Sequence, residues 1–107
     1  MSVGTFSIAY HRAMEGLFKL GYYTVSASID PEAQYLRHPT RGGVWVTELP
    51  EQNVIRIEMC RYGHRVSQFV SMEELVCIDP MLLDYLMQIV IKNLEGTLEP
   101  LQIPIMM

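Results

Sequence analysis

The spacing of apolar residues changes period twice along this chain, and that change constrains its fold more than any other feature. In residues 5–20, Phe6, Tyr10, Ala13, Leu17 and Leu20 recur at three- and four-residue steps, the repeat of one helix face. From 22 to 70 the dominant period is two, broken by Pro, Gly and Asn. From 80 to 94 the three- and four-residue repeat returns. Helices flanking a block of strands favour an antiparallel sheet with helices packed on one face.

The expected order is α-β-(short α)-β-β-β-α, an α+β fold with about four strands and two long helices on one face. Thr5 or Ser7 caps the first helix and Gly21 stops it. Gly16 sits inside that helix, and close approach to another backbone would account for it. In the strand predicted over 22–29, Tyr23, Val25, Ala27 and Ile29 alternate with Tyr22, Thr24, Ser26 and Ser28. The first set is expected in the core and the second in water. Asp30-Pro31 predicts a short helix over 31–37, because Pro at the first helical position loses nothing by lacking an N–H.

Residues 38–43 form a loop by composition. Residues 44–49 and 53–60 read as paired strands around Pro50-Glu51-Gln52, and 65–70 as the fourth strand. Residues 71–74 suggest a bend or short helical start. Asp79-Pro80 opens the second long helix over 80–94, with Gly96 closing it. An apolar C-terminal arm follows, so the chain divides into a domain over 1–96 and an arm over 97–107.

Half of the 107 residues are apolar and 19% are charged. That supplies a core without disulfides or metal and argues against disorder. The net charge of −4 disfavours a dedicated nucleic-acid binder. Residues 37–70 carry Arg37, Arg41, Arg56, Arg61 and Arg65 against Glu48, Glu51 and Glu58, a local +2; residues 71–107 carry six acids against Lys92, a local −5. Cys60 and Cys77 read as free thiols of a reducing compartment. The helix over 80–94 is too short and too polar to span a bilayer. The expected location is cytoplasmic.

The second long helix is the most informative element. Asp84, Gln88 and Lys92 form one narrow polar stripe, and the apolar arc around them exceeds what packing on one sheet requires. The tail adds Leu98, Leu101, Ile103, Ile105 and two methionines. Either the tail folds back over its own domain or it reaches a partner. Trp45 and Tyr62 are candidates for partial exposure.

Chemistry-bearing groupings are sparse. Cys60 and His64 lie four apart across a turn, too weak a spacing to assign a nucleophile pair. Cys60, His64 and Cys77 fall short of a zinc set; no metal and no cofactor is expected. Arg37 and Arg41 lie in the loop Arg37-His38-Pro39-Thr40-Arg41-Gly42-Gly43, and Arg61 and Arg65 join them if both loops lie at one end of the sheet. Together they are candidates to fork onto a nucleotide or small anion. The strand order is shared with double-stranded RNA-binding domains, but phosphate contact needs cations, and the last helix here starts at Asp79-Pro80 behind Glu73 and Glu74.

The expected function is a non-enzymatic protein-binding module, dimeric, that acts as an inhibitor or adaptor by occupying a partner macromolecule's surface. By analogy of character alone, small acidic inhibitors of phages and mobile elements, such as anti-CRISPR proteins, behave this way. Glu73, Glu74, Asp84, Glu95 and Glu99 are the expected polar contacts. Met87, Ile91, Leu101, Ile103 and Ile105 are the expected apolar ones. The alternatives are the anion binder built on Arg37, Arg41, Arg61 and Arg65, and a structural or chaperone-like homodimer.

Overall fold

The structure is a computed structural model and describes residues 7–25, 33–61 and 63–102. The first helix, α1 (Ile8–Lys19), starts where the Ser7 hydroxyl accepts the Tyr10 N–H at 3.1 Å. It ends at Gly21, whose φ of 101° closes the last turn. Five strands follow: β1 (Tyr23–Thr24), β2 (Ala33–His38), β3 (Gly42–Leu49), β4 (Val54–Arg61) and β5 (His64–Ser71). They form an antiparallel meander in chain order. After it come α2 (Met72–Cys77), capped by the Ser71 hydroxyl, and α3 (Leu83–Gln102).

Three expectations are corrected. The short helix over 31–37 is replaced by β2, paired on both sides. Its residues favour helix locally, but Leu36 is fully buried in the core, and side-chain burial outweighs weak propensity. The sheet therefore has five strands. The strand over 22–29 survives as two described residues, and its two tyrosines exchange their expected places: Tyr22, just before the strand, is 3% exposed and Tyr23 51%; Thr24 is exposed as expected. Residues 26–32 lie outside the described part. Third, α3 runs through Gly96 to Gln102, so residues 97–102 continue the helix where an extended arm was expected. Leu98 is fully buried there, and its burial holds the helix together past the glycine.

The core lies between the sheet and the helices. Leu36, Val44, Val46, Ile55, Ile57, Met59 and Val70 are buried, and their alternation and register place them on one sheet face. Ala13 and Leu17 of α1, Leu75 of α2, and Leu83, Met87, Ile91 and Leu94 of α3 close over it. Gly16 permits the α1–α3 crossing: a Cβ there would lie 2.5 Å from Met87 Cγ and 2.7 Å from the Leu83 carbonyl. Arg12 and Lys19 of α1 donate to the carbonyls of Ile78 and Pro80, tying α1 to the α2–α3 connection. No helix among the described residues is long and apolar enough to cross a membrane.

Candidate functional site

The arginine loops do meet. In a meander, the β2–β3 and β4–β5 turns fall at the same end of the sheet. The Arg61 Nη2 donates to the Arg41 carbonyl at 2.6 Å. The space between them is taken by a carboxylate from α3: Glu95 Oε2 lies 3.7 Å from Arg41 Nε and 3.5 Å from Arg61 Nη2. Glu95 was expected at a partner surface; it is held here by this chain's own cations. Arg37 is exposed on β2. Arg65 stands opposite Cys60 and pairs with Glu58 at 3.7 Å. The four arginines thus split between one cluster bridged by Glu95 and two separate positions.

Tyr22 and His38 back this cluster, their ring centroids 4.9 Å apart. His38 Nδ1 accepts the Thr40 N–H at 3.1 Å while Nε2 lies 3.0 Å from the Leu20 carbonyl. That pattern fits the neutral ring with its proton on Nε2. The Tyr22 hydroxyl is buried and has no partner among the described residues. Burial, and secondly the Glu95 charge, push its pKa up to about 12, against the opposing pull of Arg41 and Arg61.

The sheet face turned away from the core carries Tyr35 and Trp45, with ring centroids 4.7 Å apart. A shallow cavity of about 160 Å³ is lined by Ala33, Trp45, Thr47, Arg56, Glu58 and Arg65. Glu58 is already engaged by Arg65 and by the Ser67 hydroxyl at 3.2 Å. By register Cys60 belongs to this face and His64 to the other, so the two do not converge as a nucleophile pair. Cys77 is exposed on α2, beside an apolar groove of about 420 Å³ between α2 and the start of α1. Among the described residues no group of three or more His, Cys, Asp or Glu side chains gathers at metal-binding distance.

Among the described residues the helical layer carries several exposed apolar side chains close together in sequence. Met81 is 81% exposed and Tyr85 63%, with Leu82 and Ile89 beside them. At 100° per residue, Tyr85 and Ile89 lie on the side of α3 opposite Leu83, Met87 and Leu94. Met87 and Ile91, expected at a partner surface, are fully buried in the chain's own core; the apolar residues left uncovered are Tyr85 and Ile89 on the opposite side of the helix. The missed signal is the run Leu83, Met87, Leu94 and Leu98, which fixes the inner face only once Leu98 is read as helical. Glu73 and Glu74 are exposed on α2 and Glu99 on α3, and Asp84 is half-buried. Leu101 lies in the last turn of α3, and Ile103 and Ile105 fall outside the described residues. Protein families, curated proteins and solved structures were all compared with the chain, and none matches.

Proposed function

We propose that this chain is a non-enzymatic protein-binding module that acts as an inhibitor or adaptor by covering a partner's surface. The outer side of α3 is its contact. The observation that carries this reading is the exposure of Met81 and Leu82 in the 3-10 turn that leads into α3, and of Tyr85 and Ile89 one and two turns into the helix. Exposed apolar side chains grouped in one patch are a recurring mark of protein contact sites, and methionine adapts to irregular partners. The acids Glu73 and Glu74 on α2 and Asp84 on α3 favour a partner that rings its apolar contacts with Lys or Arg. Against the anion-binding alternative stands Glu95, whose carboxylate already occupies the space between Arg41 and Arg61 and offsets one of their two charges.

The test is site-specific photocrosslinking in the cells that carry the protein. A photoreactive residue at Tyr85 or Ile89 is expected to capture one discrete protein. The same residue at Gln52, exposed on the turn between β3 and β4, is expected not to. Glu73→Lys combined with Glu74→Lys should weaken capture at Tyr85. Equal labelling from all three positions, or none from Tyr85 and Ile89, would overturn the reading.

A further inference from the structure

The two edges of the sheet are built differently. Among the described residues the β1 edge is two residues long, whereas β5 offers eight. Long edge strands are usually blunted by proline, a bulge or charged side chains, because their free backbone groups pair with other chains. In β5 the only such device is Arg65, near one end on the open face; the strand's register with β4 runs unbroken from Arg61↔His64 to Val54↔Ser71. It contains no proline or glycine, and Val66 to Val70 carry no charge.

The direction of its backbone groups follows from the ladder. The Met72 N–H donates to the Asn53 carbonyl at 3.0 Å. Alternation along an antiparallel pair then turns the backbone of Val66, Gln68 and Val70 toward β4. Arg65, Ser67 and Phe69 present theirs outward. All three are exposed, and among the described residues β5 has β4 as its one neighbour.

We propose that β5 pairs antiparallel with β5 of a second copy, about a two-fold axis through Ser67. The proposal rests on the protein-binding reading above and names a second, self-directed contact. A two-fold axis normal to the sheet keeps faces matched, so residues pair odd with odd. Centred on Ser67, the register sets Arg65 opposite Phe69 of the other copy, twice. Both belong to the open face, Phe69 at 53% exposure. Opposed pairs on one face bring their side chains into contact, and an arginine over a phenyl ring is an attractive match. The strand is thus self-complementary: cation meets aromatic, and Arg65 does not meet its own copy. About six backbone hydrogen bonds form, and all helices of the continuous ten-stranded sheet stay on one side.

Sedimentation of the full chain across a concentration series tests this. The wild type is expected to dimerise. Ser67→Pro removes an outward N–H and no ladder bond, so it should give a monomer with unchanged helical circular dichroism. Gln68→Pro, which breaks the bond to β4, should unfold the chain. In a Cys60→Ala, Cys77→Ala background, Ser67→Cys should trap a disulfide dimer under mild oxidation, because opposed Cα atoms about 5.5 Å apart lie within disulfide reach. Ser71→Cys, away from the axis, should not. A monomer at every concentration, a dimer indifferent to Ser67→Pro, or equal trapping at 67 and 71 would overturn the pairing. Crosslinking from Tyr85 is read separately: capture by a monomeric protein sinks the pairing alone, and a dimer without capture sinks the partner reading alone.

Discussion

The Tyr22 phenol is buried, packed against the His38 ring and near the Glu95 carboxylate. A buried hydroxyl without a partner costs about 1–3 kcal/mol. Tyr22→Phe is therefore expected to stabilise the protein by about 1 kcal/mol, a rise in Tm of about 4–8 °C for a domain of this size, read by thermal unfolding. The pH dependence has a definite sign. The unfolded chain loses this proton near pH 10 and the folded chain near 12. Between those values the unfolded state holds fewer protons, so stability falls as pH rises through the window. In urea titrations across that window Tyr22→Phe should flatten the fall, leaving the smaller part due to Tyr10, whose pKa is raised by burial and by Glu48. Glu95→Gln removes a charge that raises the Tyr22 pKa and leaves Arg41 and Arg61, which lower it. The phenol should then ionise at lower pH in an absorbance titration, and an unchanged midpoint would contradict the Arg41–Arg61–Glu95 geometry.

Among the elements, those whose burial and local propensity agree were legible. α1, β3, β4, β5 and the start of the last helix follow from period, caps and turn residues alone. Where the two conflict, local reading fails. Ala33, Gln34, Leu36 and Arg37 all tolerate a helix, and only pairing with β1 and β3 reveals a strand. Gly96 and Pro100 both resemble stop signals, yet Leu98 between them is fully buried and the helix continues. The candidate surface suffered from the same gap: without Leu98 the inner face of α3 is ambiguous, and Met87 and Ile91 look as available as Tyr85 and Ile89. Two substitutions check this account by denaturant unfolding. Leu98→Ala should cost about 2–4 kcal/mol, whereas a dispensable tail residue would cost almost nothing. Gly16→Ala should destabilise by about 1–3 kcal/mol despite the better helix propensity of alanine, since its Cβ meets the Leu83 carbonyl as well as the flexible Met87.

Across the whole molecule, no layer owns a complete core. The sheet's buried face is covered by α1 from the start of the chain and α3 from its end, and these two helices pack on each other. A meander of hairpins forms from local contacts, but its Leu36, Val46, Ile57 and Met59 stay wet until both ends of the sequence have arrived. Sheet and helices should therefore melt as one. Trp45, the single tryptophan, reports on the open sheet face, where its ring packs at a tilt against Tyr35; far-UV circular dichroism reports on the helices. Their thermal transitions are expected to coincide, as two-state unfolding requires. Leu98→Ala should lower both midpoints equally, although Leu98 belongs to α3 and Trp45 to the sheet. If helical signal is lost while Trp45 fluorescence holds, the sheet has a stability of its own. The packing of α1 and α3 would then be an addition to the fold and not the condition for it.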